Sequence, residues 1–353
     1  MTRSFLVAPH RSSRVLALLT LLLLLATGGG LASATHVRAQ ELKKVTVALD
    51  WYPNANHAGL FLAKERGYFA AEGLDVELYT PADPTVVLQT VGSGKDTLGI
   101  SYQTDLLLAR AQAVPVVSVA ALVQQPLLGV MSLTSAGITR PHDLVGKTVG
   151  YPGIPSQEAF LATMLEADGA TREDVKLVDV GFSLVPAVVS GRVDAVMGAY
   201  WTHETIVAAR EGHPVDLLRV EQWGVPPYYE LVLVAGEQTL GTDPETVRAF
   251  VRAMQHGYAD AIADPAAAVD ALAAASPDLD RAVETEGLAL LTPAWTAGDV
   301  PVGTQDPARW RAYAAWMMDQ GLIPKDVNVG ASFTTAVLPT PAATPAAAAT
   351  PEP

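Results

Sequence analysis

The segment Asp50-Trp51-Tyr52-Pro53-Asn54-Ala55-Asn56-His57-Ala58-Gly59 concentrates groups suited to holding a flat polar molecule. Trp51 and Tyr52 offer aromatic faces, Asn54 and Asn56 carry amides that both donate and accept, and His57 adds an imidazole. A helix opening at this point would add its own free N–H groups. The plainer alternative is that Trp51 packs in the core and Asn56 serves only as an N-cap.

A second cluster is Gly198-Ala199-Tyr200-Trp201-Thr202-His203-Glu204. Tyr200 and Trp201 add stacking faces. Glu204 at a helix start gains roughly 0.3–1 kcal/mol from the helix dipole and can also accept a hydrogen bond from an amine. Tyr102 follows a strand, and Tyr229 and Glu230 sit where the chain leaves its second unit, so each either lines a cleft or only packs. Gly150–Ser156 opens a helix, but one loop glycine between prolines is a weak phosphate signal. Trp310, Tyr313, Trp316 and Met317 recur at helical spacing, which points to packing. His142, His213 and His256 have no second ligand at metal spacing, so neither a metal nor a cofactor is expected.

These clusters must be positioned by an alternation of strands and helices, the pattern of a mainly parallel sheet covered on both faces. Val45–Leu49, Leu74–Tyr79, Thr97–Tyr102 and Val116–Val123 read as strands, with helices near His57–Arg66, Pro84–Val91 and Gln103–Ala111. Gly67 closes the first helix. The rhythm restarts after Leu127–Leu133, with strands at Lys147–Tyr151, Lys176–Val180, Ala195–Ala199 and Val215–Val220. Helices lie between them at Gln157–Asp168, Val185–Ser190 and Glu204–Glu211. Tyr229–Ala235 leads out as a strand, and four helices follow, at Asp243–Ala263, Pro265–Ala274, Leu279–Leu290 and Pro307–Gln320. Asp243-Pro244-Glu245 is a strong start signal. The C-terminal helices are expected to pack back on the first unit. This predicts an α/β, two-lobed architecture with two crossings: residues 40–130 plus 235–338 in lobe 1 and 131–234 in lobe 2. Ligands of open α/β sheets bind at the C-terminal strand edge, where Asp50–Gly59 falls.

The decapeptide, followed by Lys64-Glu65-Arg66-Gly67-Tyr68-Phe69 and Glu72-Gly73-Leu74-Asp75-Val76, closely resembles transport proteins for thiamine-pyrimidine precursors. These belong to a superfamily that includes the fungal pyrimidine synthase. The resemblance runs from about Val45 to Phe333 and implies a type II periplasmic binding protein fold. It further implies a heteroaromatic ring held between aromatic side chains, with Trp51, Asn56 and His57 contributing from the first lobe. Glu204 would accept from a ring amine from the second. The implied partners are a small heteroaromatic ligand and the membrane permease of an ABC importer, met by a monomer.

Composition narrows the alternatives. Half of the 353 residues are apolar and 17% are charged, which suits well-filled cores. Arg3, Arg11 and Arg14 precede an apolar run, Val15–Ala26, too short to read as a membrane span. Residues 1–39 therefore read as a signal peptide, with cleavage after small residues near Ala34 or Ala39; a retained N-terminal anchor is the alternative. Their removal leaves 19 basic against 37 acidic residues, a net charge of −18, which argues against a nucleic-acid partner. There is no cysteine, hence no lipid-attachment cysteine, and free periplasmic residence is favoured. The Pro/Ala/Thr run from residue 339 to 353 reads as a disordered tail. An enzyme resembling the fungal synthase is disfavoured because that enzyme carries a cysteine-rich iron motif and this chain has no cysteine. No lysine falls in the aromatic segments to capture a cofactor aldehyde either. Among other ligands, a sulfonate would favour a basic or hydroxyl-rich pocket, whereas riboflavin remains open.

Overall fold

The computed structural model describes residues 41–339, apart from 297 and 299. The expected signal peptide and all but the first residue of the expected tail lie outside the described residues.

The chain opens with β1 (Lys43–Ala48), α1 (Ala58–Glu65), α2 (Tyr68–Ala71), β2 (Leu74–Tyr79), α3 (Val87–Gly92), β3 (Leu98–Ser101), α4 (Gln103–Ala111) and β4 (Val116–Ala121). It continues through β5 (Leu128–Leu133), β6 (Thr148–Tyr151), α5 (Pro155–Ala167), β7 (Lys176–Asp179), α6 (Leu184–Val189), β8 (Ala195–Tyr200), α7 (Glu204–Arg210) and β9 (Val215–Arg219). It returns with β10 (Val232–Gly236) and closes with α8 (Glu237–Thr242), α9 (Pro244–Ala263), α10 (Pro265–Ala275), α11 (Arg281–Trp295) and α12 (Pro307–Asp319).

Two five-stranded sheets result, ordered β2-β1-β3-β10-β4 and β7-β6-β8-β5-β9. In the first, β1 runs parallel to β2 and β3, while β10 is antiparallel to both β3 and β4. In the second, β6 runs parallel to β7 and β8, and β5 is antiparallel to β8 and β9. β3, β4, β5, β8 and β10 are buried and read as near-continuous apolar runs, whereas β2 and β7 at the sheet edges carry exposed charged residues.

The crossings therefore fall at residues 122–127 and 220–231. The expected boundaries at 130/131 and 234/235 cut through β5 and β10. A strand joins its ladder along its whole length, so all of β5 belongs to the second sheet and all of β10 to the first. The two crossing segments lie side by side: Leu122 N–H donates to the Leu231 carbonyl at 2.8 Å and Glu230 N–H to the Val123 carbonyl at 3.1 Å. Tyr229 and Glu230 accordingly belong to this hinge rather than to a strand.

Of the C-terminal helices, α9 packs so closely on α1 that a Cβ on Gly257 would stand 2.2 Å from the Gly59 carbonyl oxygen. α11 also reaches the second lobe: a Cβ on Gly287 would stand 2.5 Å from the Thr202 carbonyl oxygen. Asp280 caps α11, accepting from Ala282 N–H at 2.8 Å and Val283 N–H at 3.3 Å. Asp280→Ala should lower the unfolding free energy by about 1 kcal/mol, with Asp280→Asn restoring most of it, measured by urea denaturation.

Candidate functional site

Asp50 closes the first strand run and is buried. Its Oδ2 accepts from the Tyr102 hydroxyl at 3.1 Å, and its Oδ1 meets His57 Nε2 at 3.0 Å. His57 Nδ1 accepts from Asn54 N–H at 3.3 Å, which leaves Nε2 as the nitrogen that donates to Asp50. Asn54 caps the short turn Ala55–His57, its Oδ1 accepting from the backbone N–H and the side-chain Nδ2 of Asn56, each at 2.9 Å.

These bonds redistribute the expected roles within the decapeptide. A narrow cleft between the lobes is lined by Asp50, Trp51, Asn54 and Tyr102 from the first and by Gln157, Gly198, Tyr200 and Glu204 from the second. Asn56 and His57 are not among its walls. His57 instead holds Asp50 and Asn54 in place, and the Asn56 carbonyl accepts from the Tyr258 hydroxyl at 2.8 Å. The N-cap is Asn54, not Asn56.

Trp51 is half-buried and meets Phe182 of the second lobe edge-on, with ring centroids 4.5 Å apart. Tyr52 lies against the same Phe182 at 4.4 Å but is largely exposed. Tyr200 lines the cleft; its hydroxyl donates to Glu230 Oε1 at 3.2 Å and its N–H to Glu204 Oε2 at 2.8 Å. Burial, then Glu230, push the Tyr200 hydroxyl well above its ordinary pKa; burial, then Asp50, do the same to Tyr102. Both phenols are thereby kept as donors.

Trp201 stands outside the cleft walls. Its indole N–H donates to the Pro126 carbonyl at 3.3 Å and the Arg219 guanidinium lies 4.8 Å from its ring, so it braces the hinge. Tyr229 also packs away from the cleft, accepting from Asp306 N–H at 2.8 Å beneath the Arg309 guanidinium. Glu230 is buried in the hinge, where it accepts from Leu127 N–H at 2.7 Å and the Tyr228 hydroxyl at 2.9 Å as well as from Tyr200. Burial pushes its carboxyl up to about 7 despite these three donors.

Gln157 and Phe182 are absent from the sequence-based set, while Asp50, Asn54 and Gly198 lie inside its two segments. The strand-edge rule marks Asp50 and Phe182, since each follows a parallel strand. Gln157 carries no such signal. One further link between the lobes was not legible: buried Asp105 accepts from Ser156 N–H at 3.2 Å and its hydroxyl at 2.5 Å. Within the first lobe, Glu284 of α11 accepts from Ala55 N–H at 2.5 Å. Burial pushes Asp105 up to about 6.

Among the described residues no group of three His, Cys, Asp or Glu side chains is placed to hold a metal, and no helix is long and apolar enough to cross a membrane. Chemically, the cleft offers aromatic edges and faces, acceptor oxygens from both lobes and the side-chain amides of Asn54 and Gln157.

Residues 54–268 match the family model described as NMT1/THI5 like. The chain is 42% identical to a formylaminopyrimidine-binding protein of Halalkalibacterium halodurans, over 87% of this chain and 93% of that protein. It is 30% identical to the 4-amino-5-hydroxymethyl-2-methylpyrimidine phosphate synthase THI13 of Saccharomyces cerevisiae, over 63% and 68% respectively. Its fold superposes with a TM-score of 0.67 on the alkanesulfonate-binding protein SsuA of Xanthomonas axonopodis pv. citri bound to MOPS, covering 83% of this chain and 99% of that one at 17% identity.

Proposed function

This chain belongs to the NMT1/THI5-like family, and on that premise we propose that it is the extracytoplasmic solute-binding component of an ABC importer. Its ligand in this reading is an amino- or formylamino-pyrimidine precursor of thiamine, captured between the lobes. The observation that carries it is the cleft itself: Trp51, Tyr102 and Tyr200 with the carboxylates of Asp50 and Glu204, in a chain 42% identical to a protein named for binding formylaminopyrimidine. Aromatic walls suit a planar ring, and buried carboxylates suit the N–H groups of an aminopyrimidine edge.

Binding rather than synthesis is favoured because the chain has no cysteine and the cleft walls include no lysine. The basic and apolar N-terminal segment supports export. In this reading the protein works as a monomer that delivers its ligand to a membrane permease.

Mass spectrometry of small molecules released by denaturing freshly purified protein, followed by calorimetric titration, tests the reading. A pyrimidine is expected in the released fraction and in the titration. Binding of riboflavin with no response to pyrimidines would overturn it.

A further inference from the structure

Gln157 is the third residue of α5 and reaches the cleft from the second lobe. It is 5% exposed, and its Oε1 has no hydrogen-bond partner. Buried side-chain amides are ordinarily paired, because an unpaired one forfeits its hydration without return.

The strand beneath it is shaped to this side chain. Gly198 adopts φ +105°, in the region that only glycine enters readily, at the point where the β5–β8 register shifts. A Cβ there would stand 2.4 Å from Gln157 Oε1. Glycine at 198 therefore gives the amide its place as well as permitting the bulge.

The other polar walls are already committed or one-sided. The Tyr102 hydroxyl donates to Asp50 and the Tyr200 hydroxyl to Glu230. Asn54 uses its Oδ1 on Asn56 and its Nδ2 on the Tyr52 carbonyl. Asp50 and Glu204, as carboxylates, only accept. Gln157 is the wall residue with an open acceptor on a group that also carries N–H donors, the complement of a ligand amide that presents both an N–H and a C=O.

We propose that Gln157 is a specificity-determining residue that reads the formylamino group of the ligand, its Nε2 donating to the formyl oxygen and its Oε1 accepting an N–H. An unformylated amine lacks the oxygen and gains less from this residue. The inference rests on the pyrimidine reading above.

The test is calorimetric titration of wild type, Gln157→Leu and Gln157→Glu with a formylamino-pyrimidine and with its deformylated amino counterpart, alongside melting temperatures. Gln157→Leu should weaken the formylated ligand by about tenfold to a hundredfold, the equivalent of one buried polar group left unpaired, and the amino ligand by a markedly smaller factor. Gln157→Glu keeps an acceptor and loses the donor, so it should weaken the formylated ligand while largely sparing the amino one. Melting temperatures near wild type would place the loss in the cleft. If wild type binds but neither variant moves the ratio of the two affinities, Gln157 has no such role. If wild type binds neither pyrimidine, the pyrimidine reading fails and takes this inference with it.

Discussion

Glu204→Gln should weaken pyrimidine binding by about 1.5–3 kcal/mol, the range for a hydrogen bond to a charged group. Glu204 is buried at the start of α7, with one oxygen accepting from Tyr200 N–H and the side chain forming part of the cleft wall. Glutamine can still accept from Tyr200, so the local backbone keeps its bond. What changes is the second position: a carboxylate oxygen that accepts from a ligand amine becomes an NH2 that opposes it. As an acid at a helix N-terminus Glu204 contributes at most about 1 kcal/mol to stability, so binding should suffer more than folding. Calorimetry and thermal unfolding of the same variant separate the two. Unchanged affinity with a lowered melting temperature would return Glu204 to a capping role.

Glu230→Gln should make the protein more stable at pH 8, by on the order of 3 kcal/mol, and leave it nearly unchanged near pH 4.5. The buried carboxyl is raised from an ordinary 4.5 to about 7, so the folded state holds its proton more tightly than the unfolded state. The stability contributed by that proton is fully present below about 4.5 and is lost as pH rises through 7, and the distance between those two values corresponds to the stated magnitude. Glutamine is neutral throughout and can still accept from Leu127 and a tyrosine. Asp105, raised to about 6, titrates in the same direction and remains in the variant, so the slope is reduced rather than abolished. Urea denaturation at both pH values measures the difference. An equal loss of stability at both would mean that Glu230 acts through its shape and hydrogen bonds, not its charge.

The strands and three of the C-terminal helices were legible because buried strands are continuous apolar runs and long helices carry their own start signals, whereas Glu237–Thr242 was not expected and the helix expected at Leu279–Leu290 runs from Arg281 to Trp295. Pro244–Ala263 begins one residue after the Asp243 signal, and Pro265–Ala275 and Pro307–Asp319 lie within a residue of expectation. The edge that would hold a ligand was legible for the same reason, since strand ends can be read from the pattern. The side chains facing it were less so. In Ala55–His57 a single tight turn decides which residues face inward, and the Asn54 cap turns Asn56 and His57 to supporting positions. Trp201 lies one residue beyond β8, in the turn before α7, where its indole N–H is held by the Pro126 carbonyl rather than facing the cleft. Gln157, Asp105 and Glu284 acquire their roles from partners distant in sequence, which no local pattern encodes.

The insertion of β10 between β3 and β4 has a consequence for synthesis. Until residues 232–236 have emerged, β3 and β4 have no shared neighbour and the first lobe's sheet stops at β3, leaving β4 an orphan with its apolar faces uncovered. The N-terminal lobe cannot be completed before the whole of the second lobe has been made. Completion of the first lobe therefore depends on contacts widely separated along the chain, a topology that slows folding and leaves a nascent chain open while it is being extended.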